Sequence, residues 1–80
     1  MKKRFYGKIT YTIDKNHPDI KHVKDWTSEK IYDFEDVYSF ADYYDDEDCI
    51  GYIKRDLRLV AGGGYNSDYI HNVLFEIRKL

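Results

Sequence analysis

Hydrophobic and polar residues alternate without a break from residue 4 to 14, with Phe5, Gly7, Ile9, Tyr11 and Ile13 on one side and Tyr6, Lys8, Thr10, Thr12 and Asp14 on the other. A period of two is the signature of a strand with one buried face. The cluster Lys15-Asn16-His17-Pro18-Asp19 ends it, because proline lacks an amide donor and biases its predecessor away from helix. After a loop to about Asp25, Trp26 to Phe34 predicts a second strand. Trp26, Ser28, Lys30, Tyr32 and Phe34 share one side of it and Thr27, Glu29 and Ile31 the other. The pattern leaves open which side is buried.

The period then changes. Val37, Phe40, Ala41 and Tyr44 recur at i, i+3, i+4 and i+7, a stripe about 100° wide on a helical wheel. Asp36 stands where an N-cap carboxylate belongs. Tyr38, Asp42, Asp45 and Asp46 fall on the outward side of this predicted helix. Ile50, Ile53, Leu57, Val60 and Ala61 define a second helix, with Asp46, Glu47 and Asp48 near its positive end and Lys54, Arg55 and Arg58 further along, as the dipole favours. On one continuous helix the two apolar stripes would point about 190° apart. A break near residues 45 to 49 is therefore expected.

Gly62-Gly63-Gly64 supplies a C-terminal stop. Phosphate binding there is disfavoured, because the loop leaves a helix C-terminus and does not enter an N-terminus. Tyr65 to Asp68 completes the loop, and Tyr69 to Leu80 predicts the last strand, with Val73, Phe75 and Ile77 on one side. The order β-β-α-α-β implies a single α+β domain over residues 1–80, a three-stranded, mostly antiparallel sheet with the helices on one face. One net helical crossing gives a strand order of 2-1-3.

Eighty residues suffice for one small core and leave no room for a deep substrate cavity. Hydrophobic residues at 42% and charged residues at 35% place the chain with folded proteins. Nine tyrosines exceed what such a core needs, and tyrosine is also a favoured contact residue at binding surfaces. The lone Cys49 excludes an internal disulfide and suggests a reducing, cytoplasmic setting. Met1-Lys2-Lys3-Arg4 is followed by alternation, which does not read as a signal peptide. No stretch predicts a membrane span.

Charge alters this picture more than composition does. From Ile31 to Ile53 there are eight carboxylates and no lysine or arginine, whereas the rest of the chain carries thirteen basic and seven acidic side chains. The net charge of −2 hides a strong polarity. Against catalysis, the acids are consecutive or on a convex surface, with no cleft to separate the pKa values of an acid and a base. Cys49 follows Asp45-Asp46-Glu47-Asp48, which disfavours a thiolate. His17, His22 and His71 fit no zinc spacing, and the acidic run lacks the ligand spacing and glycine of a calcium loop. No enzyme activity, cofactor or metal is expected.

Two binding readings remain. In the first, Tyr38, Asp42, Tyr43, Asp45, Asp46, Glu47 and Asp48 form an acidic, tyrosine-rich face that meets a basic, nucleic-acid-binding surface of a partner protein, presenting charge as a phosphate backbone does. In the alternative, Lys54, Arg55 and Arg58 on the second helix bind nucleic acid directly, against repulsion from the acids. A third route is strand addition to a partner sheet, since three strands leave two edges. In size and composition, with its tyrosine-rich acidic segment, the chain resembles the small proteins by which phages and mobile elements block host defences, including anti-CRISPR inhibitors. That resemblance implies a DNA mimic acting in the host cytoplasm on a defence nuclease or CRISPR effector complex. The oligomeric state stays open.

Overall fold

The computed structural model describes residues 2–62 and 68–80. The uninterrupted alternation near the start becomes β1 (Lys2–Ile13), followed by β2 (Tyr32–Ala41), a single helix α1 (Asp46–Ala61) and β3 (Ile70–Lys79). β1 is the central strand and pairs antiparallel with both neighbours, giving the order β2-β1-β3. The three-stranded sheet and its strand order follow the sequence pattern. The helix count does not: the described residues run β-β-α-β, with one helix in place of the two expected.

The correction falls on residues 36 to 44. Residues 36–41 extend β2, and Asp42 to Asp45 turn the chain into α1. Phe34, Tyr38 and Phe40 occupy the helix-facing side of β2, opposite Ile9, Phe5 and Lys3. Their spacing of two was hidden by Asp36, which takes the position opposite Gly7. Asp36 is no N-cap: its carboxylate accepts the Val37 amide at 2.8 Å. Tyr, Phe and Val favour strands over helices, and the pairing of β2 with β1 along its full length overrides a coincidental helical spacing. Residues 26–31 lie outside any strand. Trp26 instead packs against Tyr69, ring centroids 5.9 Å apart, while Ile31 is 70% exposed.

The core is the space between α1 and one sheet face. Cys49, Ile53, Leu57 and Ala61, each four residues from the next, form the buried stripe of the helix. Phe5, Ile9 and Ile13 of β1 meet them. Ile50 is half-buried and Val60 exposed, so the stripe is narrower than its sequence signal. Gly7 permits the close approach, since a Cβ there would lie 2.6 Å from Ile53 Cγ2 and 3.3 Å from Leu57 Cδ1. Val73, Phe75 and Ile77 of β3 pack from the other side, as their alternation predicts. Ile20, Val23, Trp26 and Tyr69 close the lower end of the core beneath the loop between β1 and β2.

The glycine stop at Gly62 is observed: its amide donates to the carbonyl of Arg58 at 3.0 Å. The rest of the predicted glycine loop, residues 63–67, lies outside the described residues. In β3, Asn72 adopts a positive φ of 54° where the register with β1 shifts between Thr10 and Thr12. This is a β-bulge, in which one strand spends an extra residue. Asn72 Nδ2 donates to Thr12 Oγ1 at 2.8 Å and fixes the bulge to the central strand.

Candidate functional site

The acidic segment does not form one helical face. Tyr38 lies on β2, Asp42 and Tyr43 in the turn, Asp45 at the N-cap position, and Asp46, Glu47 and Asp48 in the first turn of α1. The turn nevertheless gathers Asp42 through Asp48 at one end of the molecule.

These residues divide by what they touch. Tyr38 is half-buried and donates its hydroxyl to Asp56 Oδ2 at 2.7 Å, joining β2 to α1. Burial first, and then the Asp56 carboxylate, raise its phenol well above the ordinary tyrosine value. Asp46 accepts Lys3 Nζ at 2.9 Å and Lys79 Nζ at 3.3 Å, so one carboxylate ties the start of β1 and the end of β3 to the helix. The Lys3 hydrogen bond, assisted by Lys79, holds its carboxyl below the usual range. Lys3 also donates to the carbonyl of Tyr44. Tyr38 and Asp46 therefore hold the fold together.

Asp45, Glu47 and Asp48 are exposed and make no ion pair among the described residues. Asp45 offers no side-chain cap to the helix. Beside them Tyr43 is 77% exposed, its ring centroid 4.5 Å from that of Tyr44. The Tyr43 hydroxyl raises the Tyr44 phenol above its ordinary value. The spacing predicts a core position for Tyr44, but the side chain is 46% exposed, because residues 42–45 form a turn in place of the expected helix.

A groove of about 650 Å³ separates α1 from the outer edge of β2. Tyr38, Phe40, Tyr44 and Tyr52 supply its aromatic surface, and among the described residues Asp48 is its one charged lining residue. Tyr52 packs edge-on against Phe40 and Tyr38, with centroids 5.6 and 6.5 Å apart, the preferred geometry for aromatic pairs. Cys49 also reaches the lining but is only 1% exposed.

The opposite sheet face is an interlocked polar surface. Tyr6 donates its hydroxyl to Glu35, and the Arg78 guanidinium lies 4.6 Å from the Tyr6 ring centroid. The Glu35 hydrogen bond pushes the Tyr6 phenol up to about 12. Lys8 faces Asp33 at 3.7 Å. Of the residues in the alternative reading, Lys54 and Arg58 share the β3 flank of α1, with Lys54 Nζ 5.9 Å from the Phe75 ring centroid. At 3.6 residues per turn Glu47 falls on that same flank, so a nucleic acid lying along it would meet a carboxylate. Among the described residues no cluster of three or more His, Cys, Asp or Glu side chains suits a metal, and no helix is long and apolar enough to cross a membrane.

No protein-family model, curated protein or solved structure matches the chain. Its class is that of its fold, a small α+β domain with one helix on a three-stranded antiparallel sheet.

Proposed function

We propose that the chain is a non-enzymatic binding protein that inhibits a nucleic-acid-binding partner by occupying its basic surface, as phage anti-defence proteins do. A cytoplasmic defence nuclease or CRISPR effector complex is a partner of the right chemistry. One observation carries the reading: among the described residues Asp45, Glu47 and Asp48 make no ion pair, and they follow directly on the exposed Tyr43 and Tyr44, although the chain has lysines enough to neutralise them. Three unpaired carboxylates raise the on-rate towards a positive surface, and two adjacent tyrosines add contact area at little entropic cost. Tyr38 and Asp46 contribute by holding this end in shape.

The test compares the wild type with a variant carrying Asp45→Asn, Glu47→Gln and Asp48→Asn. These amides keep side-chain size and leave an acceptable N-cap. Bacterial nucleic-acid-binding proteins captured by the wild type should lose nuclease or DNA-binding activity on capture. The amide variant, with an unchanged circular dichroism spectrum, should neither capture nor inhibit them. Capture by the two proteins that is equal and insensitive to salt would refute the proposal.

A further inference from the structure

The outer edge of β2 carries backbone groups aimed away from the sheet. Leu80 donates its amide to Arg4 at 2.8 Å, so the even-numbered residues of β1 exchange hydrogen bonds with β3. Antiparallel pairing alternates, and the odd-numbered residues Lys3, Phe5 and Gly7 then exchange with Phe40, Tyr38 and Asp36. Val37 and Ser39 are left pointing their amides and carbonyls at the outer edge. The contact of the Val37 amide with the Asp36 carboxylate agrees with this direction. No strand pairs with this edge among the described residues, and Val37 and Ser39 border the aromatic groove.

We infer that this edge receives an extended basic peptide segment of the partner, which adds as a fourth strand, with apolar side chains in the groove and lysine or arginine side chains on the opposite face. The inference rests on the proposed acidic recognition and specifies how it is made. Strand addition uses main-chain hydrogen bonds for affinity and alternate side chains for specificity. Side chains of the incoming strand that face α1 meet Tyr38, Phe40 and Tyr52. Those facing the other way lie beside Asp33 and Glu35, with Asp48 at the groove's helix wall.

Charge selects the occupant. β2 bears Asp33, Glu35 and Asp36 and no cation, so pairing of this edge with the same edge of a second copy would bring two acidic strands together with no cation on either to offset them. A basic strand meets the opposite condition. The Asp36 contact with the Val37 amide further blunts casual pairing, as charged residues on edge strands commonly do.

The probe is a fluorescent seven-residue peptide of alternating lysine and leucine, compared with the same peptide N-methylated at alternate backbone positions. Methylation removes donors and keeps charge and apolar surface. The unmodified peptide should bind, protecting the Val37 and Ser39 amides from hydrogen exchange. N-methylation should weaken it about tenfold, the effect of losing one or two backbone hydrogen bonds. Ser39→Pro should do the same, because proline is tolerated on an edge strand but cannot donate. Equal binding of both peptides would overturn strand addition while leaving the acidic surface as the recognition element. Absence of binding, or protection of the same amides by self-association without peptide, would also overturn it. The amide variant at Asp45, Glu47 and Asp48 tests the acidic reading separately.

Discussion

Gly7 sets the distance between helix and sheet. The branched Cγ2 of Ile53, 2.6 Å from where a Cβ would sit, cannot swing aside as the end of a long side chain can. Gly7→Ala is therefore expected to destabilise by about 1–3 kcal/mol, the usual cost of overpacking a filled core. This exceeds the stabilisation of about 0.4–1 kcal/mol that alanine gives through the unfolded chain. Urea denaturation measures the sign, and a stabilised variant would show that α1 shifts freely over β1. The sequence places Gly7 on the buried side of an alternating run. That it contacts one particular isoleucine required the register of helix on sheet, which no local pattern encodes.

At the level of elements, β1, α1 and β3 were legible because each has one consistent period, and β2 was not because Asp36 interrupts its helix-facing side. Asp36 is tolerated there since the outer edge of an edge strand is open to water. The displaced boundary altered the candidate site as well. Tyr38 moved from an outward helical face to a strand position bonded to Asp56, and Tyr44 moved from core to surface. Asp45, Glu47 and Asp48 stayed exposed, as a run of acids at a helix start must. In β3 the bulge rests on the positive φ of Asn72, a conformation asparagine and glycine reach readily and β-branched residues do not. Asn72→Gly should leave stability nearly unchanged, although it loses the bond to Thr12. Asn72→Val should cost on the order of 1–3 kcal/mol, read as a lower thermal midpoint. Equal midpoints for the two would mean that the bulge relaxes into a regular ladder.

For the molecule as a whole, Asp46 connects three elements, since Lys3 belongs to β1 and Lys79 to β3. Its carboxyl titrates lower when folded than when unfolded. The resulting stabilisation is present above the ordinary carboxylate value and is lost as pH falls through the lowered one. Asp46→Asn should thus be less stable than the wild type near neutrality, with the gap closing on acidification. Because the pair is partly exposed the gap is small. Urea midpoints across an acid pH series measure it, and a gap that widens as pH falls would reverse the assigned sign.

Placing the earliest strand at the centre of the sheet also has a temporal consequence. β1 completes its pairing with β2 by Ala41, about halfway along the chain, but its pairing with β3, Phe5 opposite Lys79, spans almost the entire sequence. During synthesis the β1–β2 hairpin therefore emerges with the second edge of β1 vacant and an uncovered apolar face, and only the arrival of β3 completes the pairing of β1. Long-range closure of this kind is slow compared with helix or hairpin formation, and unpaired edges in that interval are where nascent chains aggregate. Expression yield should accordingly respond more to changes that delay β3 docking than to equally destabilising changes in α1.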